Sequence, residues 1–294
     1  MLFIVAACSS GSPDDTDAVV AASTTSSNTP ASTTSATSAT STTSTTSTTT
    51  APPPTTSQTD ARPAPAWLGT RVLPSGPDGV VVPQTTPPEL VDRRLLTEDT
   101  LPPPPDDGFL ASIQTPAPNA VIARSTWTEG CPVPPDELSY LMVGFWGFDD
   151  RPHTGELLVH TSVAEELVGI FETLFAARFP IEEMRVVAAD ELVAPPTGDG
   201  NNTTAFVCRP IVGGTVFSQH AFGLAVDINP FHNPYQKGDL VLPELATSYL
   251  DRQALPGVII EGDVVVTAFD ALGWDWGGRW NSLLDYQHFS RNGG

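Results

Sequence analysis

A histidine and an aspartate stand seven positions apart in Ser218-Gln219-His220-Ala221-Phe222-Gly223-Leu224-Ala225-Val226-Asp227, with the small residues Gly223 and Ala225 between them. A second cluster, Asp285-Tyr286-Gln287-His288-Phe289, lies close to the end of the chain. Together they offer two imidazoles, His220 and His288, and one carboxylate, Asp227, as ligands for a single divalent ion. A spare carboxylate, Asp285, precedes the last of these ligands by three residues. Three protein ligands with a free fourth corner are what a catalytic zinc needs, because water must occupy that corner. The chemistry within reach is hydrolysis.

Those side chains must be carried by ordered elements, and the sequence predicts several. Leu138 to Phe148 and Glu156 to Thr161, separated by Asp149-Asp150-Arg151-Pro152, read as two antiparallel strands. Ser162-Val163-Ala164-Glu165 has the form of a capping box, and Leu167, Ile170, Phe171, Leu174 and Phe175 recur at helical spacing. Met184 to Ala189 and Val226 to Ile228 read as further strands. Asp263 is placed to cap a second helix through Val265, Phe269 and Leu272, ending at Gly273. Helices and strands mix without a βαβ rhythm, so the expected fold class is α+β, a small antiparallel sheet with flanking helices around the metal cleft.

Composition divides the chain. Residues 1–7 read as part of a signal peptide, 8–65 as a disordered Ser/Thr/Pro linker, and 66–120 as a Pro-rich stretch that is either an arm lying on the domain or more linker. The hydrolase domain is expected over 121–294. A net charge of −21, from 13 basic and 34 acidic side chains, excludes nucleic acid as a partner, since no Lys/Arg cluster is available to neutralise phosphates. Val5-Ala6-Ala7-Cys8 is similar to a bacterial lipobox, which makes Cys8 the expected lipidation site and the membrane an expected partner through that anchor. The apolar run before it is too short to span a bilayer. Setting Cys8 aside leaves Cys131 and Cys208, which in an exported protein are expected to form a disulfide.

Ser218-x-His220-x-x-Gly223-x-Ala225-x-Asp227, joined to a late Asp285-x-x-His288, resembles the VanY-type zinc peptidases. That family holds D-alanyl-D-alanine carboxypeptidases, dipeptidases and L-alanyl-D-glutamate endopeptidases. The resemblance runs from about Gly130 to Phe289. It implies Zn²⁺ as cofactor, His220, Asp227 and His288 as its ligands, and Asp285 as the general base acting on the metal-bound water. It implies Arg209 as the donor that stabilises the developing oxyanion, and Ser218 as a residue beside the substrate or orienting a ligand. The implied substrate is a peptidoglycan stem peptide and the implied location the outer face of the membrane or the cell wall.

Two other readings compete. One is a binding module for the cell wall on the same scaffold, with structural zinc; Asp285 speaks against it, because a module without catalysis has no use for a base. The other is a surface lipoprotein whose linker is the functional part. Of the remaining histidines, His160 is expected to be a hydrogen-bonded core residue, His232 lies near enough in sequence to reach the cleft, and neither these nor His153 is assigned to the metal. Trp274, Trp276 and Trp280 read either as a cleft wall or as a buried aromatic cluster. Gly277-Gly278 is expected to form a tight turn near the metal.

Overall fold

The computed structural model of the chain describes residues 60–76 and 81–293. The expected signal segment, the lipidation site Cys8 and the linker as far as residue 59 lie outside the described residues. Within them the fold is mixed α+β, but it is assembled from four small sheets rather than one.

The largest sheet is a hairpin with one added strand. Strand β1 (Ala111–Gln114) is followed by the short helix α1 (Asn119–Arg124), then by β2 (Leu138–Trp146) and β3 (Pro152–His160). β2 and β3 pair antiparallel along their whole length, from Leu138 opposite His160 to Trp146 opposite Pro152. β1 lines the other edge of β2. Alternation along β2 sends Leu141, Val143 and Phe145 into one apolar cluster, while Leu138 and Tyr140 enter another with Val121 and Ile122 of α1. Both faces of the hairpin are therefore covered, and its strands read as nearly unbroken apolar runs.

Helix α2 (Ala164–Ala176) lays Leu167, Ile170, Phe171, Leu174 and Phe175 on that hairpin, the stripe its sequence spacing predicts. Each such side chain, fully buried, contributes about 1.5–3 kcal/mol. The expected capping box does not form. Thr161–Val163 make a 3-10 turn, and the His160 ring accepts the Ser162 N–H at 3.1 Å. His160 is thus a half-buried cap and not a core residue, because it closes β3 at the surface and its ring serves the turn that follows.

The remaining elements are short. β4 (Glu183–Met184) and β5 (Asn202–Thr203) pair in parallel. β6 (Ala225–Asp227), β7 (Tyr235–Lys237) and β8 (Leu240–Leu242) follow. Then come α3 (Val264–Asp270), β9 (Asp275–Trp276), β10 (Leu284–Asp285) and β11 (His288–Ser290). One sheet orders them β6-β11-β9 and another β10-β7-β8, all antiparallel. Asp263 caps α3 by accepting the Val266 N–H at 2.9 Å, and Gly273 beyond its end takes φ +73°. Leu272 stays partly exposed instead of joining the stripe.

The Pro-rich stretch packs against the domain. Leu73, Val81, Leu90 and Leu95 form a second cluster with Phe231, Leu245, Tyr249 and Val258. Arg93, buried, donates from Nε to Glu182 at 2.8 Å and from Nη1 to the Asp199 carbonyl at 2.7 Å. Cys131 and Cys208 are joined in a disulfide, Cα–Cα 5.9 Å.

Candidate metal centre

Two of the three expected ligands are fixed by a single register. Asp227 on β6 and His288 on β11 are direct cross-strand partners, so their side chains leave the sheet on the same face. The neighbouring chain holds this ladder from the other side, for Thr204 and Asp227 exchange backbone hydrogen bonds of 3.0 and 2.9 Å.

His220 comes from a 3-10 turn, Gln219–Phe222, whose N-terminal residue is Ser218. The Ser218 hydroxyl accepts the His220 N–H at 3.3 Å. Gly223 ends the turn with φ +68°, and a Cβ there would lie 2.4 Å from the His160 nitrogen. The position therefore demands glycine both for its backbone angle and for its closeness to β3. The His160 N–H donates to the Gly223 carbonyl at 2.9 Å, which docks the turn on the end of the hairpin.

The ligand atoms then meet. His220 Nε2 lies 3.1 Å from His288 Nδ1 and 3.1 Å from Asp227 Oδ1, and His288 Nδ1 lies 3.0 Å from the same oxygen. His220 Nδ1–H is committed to the Ala205 carbonyl at 2.6 Å, so Nε2 carries a lone pair toward the carboxylate. A cation shared by these atoms, either a proton or a metal ion, relieves the repulsion between imidazole and carboxylate lone pairs that face one another at 3.0–3.1 Å. Ligands about 2.0–2.1 Å from a tetrahedral zinc stand roughly 3.3 Å apart, close to the observed triangle. These three residues fit a divalent metal.

Asp285 lies on β10, opposite Tyr235 of β7. Its Oδ1 is buried without a hydrogen-bond partner, which is uncommon for a polar atom out of water. Burial pushes its carboxyl up to about 7, with the imidazole of His288 pulling it down and the charge of Asp227 adding to the rise. Asp227 is pushed up by burial but held well below the usual carboxylate range by His220 and His288. Gly277 makes the placing of Asp285 possible, since a Cβ there would lie 2.5 Å from the Asp285 carbonyl oxygen. Arg209 is half-buried and donates to its neighbour Pro210 at 3.1 Å. It is near enough for its charge to lower the Asp285 carboxyl, and the disulfide anchors the residue before it.

The other candidates separate. Trp274 and Trp276 are buried in the main apolar cluster, and Trp280 is half-buried with its ring 5.3 Å from that of His288. His232 is buried away from the metal ligands, donating to the Arg93 carbonyl at 2.7 Å and bonded to Asn201. Burial brings its imidazole down to about 4. His153 lies between Asp99 and Asp149, at 2.8 and 3.0 Å. Sequence reasoning did not find the Ala205 carbonyl, because a backbone acceptor leaves no trace in residue type. Nor did it find Gly277 as the neighbour of Asp285, although the Gly-Gly pair was a visible signal.

Among the described residues, His220, Asp227 and His288 are the group of three able to hold a metal ion, and the half-buried Asp285 is near enough for His288 and Asp227 to act on its carboxyl. Residues 212–291, which contain all three and Asp285, match the family described as D-alanyl-D-alanine carboxypeptidase. No curated protein and no solved structure matches the chain. Arg209 lies just outside the matched segment.

Proposed function

We propose that the chain is a zinc-dependent peptidase that removes the terminal D-alanine from peptidoglycan stem peptides. The observation that carries this reading is the triangle of His220, Asp227 and His288 atoms, 3.0–3.1 Å on a side, with the orphaned Asp285 oxygen beside it. The family matched by residues 212–291 supplies the substrate class.

His220, Asp227 and His288 would hold the ion, which when bound supplies an acidified water and a positive charge that polarises the scissile carbonyl. Asp285 accepts the proton of the attacking water and passes it to the leaving amine. Its burial raises its affinity for that proton, which suits both halves of the transfer. Arg209 donates to the carbonyl oxygen as negative charge builds on it. Ser218 acts on His220 through the capping bond and keeps Nε2 aimed at the ligand triangle. The Cys131–Cys208 disulfide supports a location outside the cytoplasm, and none of the described helices is long and apolar enough to cross a membrane.

The test is digestion of defined muropeptides by the zinc-loaded chain, followed by mass analysis. Release of D-alanine is expected. Protein that keeps stoichiometric zinc yet releases no D-alanine and cuts no muropeptide over a broad pH range overturns the proposal. The binding-module reading predicts that Asp285→Ala leaves function intact, whereas the peptidase reading predicts loss of turnover with zinc retained.

A further inference from the structure

Four large apolar side chains stay exposed within the seven residues 211–217. Ile211 keeps 49% of its surface exposed, Val212 44%, Val216 69% and Phe217 37%. Elsewhere among the described residues exposed apolar side chains occur singly or as one neighbouring pair. Such a concentration marks a contact surface.

The segment is a small hairpin. Pro210 bridges Phe217 in antiparallel fashion, and the Ile211 N–H donates to the Val216 carbonyl at 2.9 Å. Its tip turns at Gly213, φ +73°. Pairing places Ile211 and Val216 on one face and Phe217 on the other, and none of the four joins an apolar cluster of the core.

Its legs end in the candidate site. The Ser218 N–H donates to the Arg209 carbonyl at 3.1 Å, closing the hairpin between the proposed oxyanion donor and the residue that caps His220. Val216 stands four positions before His220, so their Cα atoms are at most about 14 Å apart. An extended stem peptide lying across the metal, at about 3.3 Å per residue, covers that distance within five residues. A lipid surface is a poor occupant for a chain of net charge −21, which anionic headgroups repel.

Resting on the peptidase reading above, we propose that this hairpin recognises an aliphatic side chain of the peptide substrate on the amino side of the cleaved bond. Ile211 and Val216 form the apolar contact, and it selects substrates by the hydrocarbon they present.

The experiment uses the full zinc-loaded chain and two peptides ending in D-alanyl-D-alanine. They differ only in the residue before that pair, norleucine in one and serine in the other, both uncharged. The wild-type chain is expected to favour norleucine by about tenfold or more in kcat/KM. Ile211→Thr/Val216→Thr, which keeps both β-branched backbones, is expected to bring that ratio to within about twofold. Calorimetry gives a readout free of turnover: the same double substitution in an Asp285→Asn chain should weaken norleucine-peptide binding about tenfold. An unchanged preference in the variant, or no preference in a wild-type chain that cleaves both peptides, overturns this inference alone. A wild-type chain that cleaves neither overturns the peptidase reading with it. Hairpin-dependent flotation with phosphatidylcholine vesicles, or a dimer that the double substitution dissolves, would assign the surface to lipid or to a second copy and overturn it as well.

Discussion

Substituting Gly277 by alanine tests whether the position of Asp285 matters as the chemistry requires. The three atoms nearest to a Cβ at Gly277 all belong to Asp285, its carbonyl oxygen at 2.5 Å, its Cβ at 2.9 Å and its carbonyl carbon at 3.3 Å. Ordinary contact begins at 3.4 Å, so the added methyl must push the Asp285 backbone back by about 0.9 Å, the shortfall on the oxygen. Overpacking of this kind costs on the order of 1–3 kcal/mol of stability, which lowers the melting temperature by several degrees in a domain of this size. The larger effect falls on rate, because misplacing a reacting group by about 1 Å costs on the order of a hundredfold. No metal ligand is among those nearest atoms, so zinc content should hold. The assay is kcat for D-alanine release, with zinc by atomic absorption and melting temperature measured on the same samples. A Gly277→Ala chain with wild-type kcat would refute the role given to Asp285. Zinc and activity lost in parallel would show that the defect lies in the ligands and not in the base.

Chelation should lower the melting temperature, since zinc at about a thousand times its Kd adds roughly 4 kcal/mol of stability; His220→Ala should bring the zinc-loaded curve down to the chelated one, and calorimetry of the four samples checks both. The Asp285 carboxyl, raised from 3.8 to about 7 by burial, binds its proton more tightly folded than unfolded. The metal-free chain should therefore lose stability as pH rises from about 4 to about 7, and urea titrations across that range should show Asp285→Asn flattening the slope. Asp227, held low by its imidazole neighbours, acts in the opposite sense, its contribution lost only as pH falls through the acid range. Glu182→Ala leaves the buried Arg93 without its carboxylate and should cost about 3–5 kcal/mol, read from urea unfolding; a change below about 1 kcal/mol would show that the pair does not hold the upstream segment.

Much of the centre was legible because its residues combine rare types with fixed spacing. His220 and Asp227 carry their own frame, a turn ended by Gly223 and a strand begun at Ala225, so the seven-residue interval reports a local shape. Joining His288 to that frame needed the likeness to a family, since a strand three residues long has no period to read. The α2 stripe and the long β2–β3 hairpin were legible for the opposite reason, their length. The capping box at Ser162 misled because the preceding His160 competes for the same N–H. The upstream stretch gave no answer from sequence: Leu73, Val81, Leu90 and Leu95 are buried one at a time along an extended, Pro-rich chain, without helical or strand alternation.

That upstream stretch bears on the chemistry through contacts that run without a break. Arg93 sits over the Phe231 ring at 4.4 Å, and its carbonyl accepts the His232 ring at 2.7 Å. The His232 carbonyl accepts from Arg252 Nη1, also at 2.7 Å. Arg252 Nη2 donates to Asn233 and to the Ile259 carbonyl at 2.7 Å each, and its guanidinium lies 4.2 Å over the Tyr286 ring. Tyr286 follows Asp285, and its carbonyl accepts the Trp276 indole at 2.9 Å, one residue before Gly277. Asp285 is thus held between Gly277 on one side and a cationic side chain tied to the upstream segment on the other, while Asp227 and His288, two of the proposed ligands, are held by the β6–β11 register. The two supports meet at Asn233, which accepts from Arg252 and donates to the Ile228 carbonyl next to Asp227, so damage upstream should reach Asp285, the proposed base, and the ligand Asp227 together.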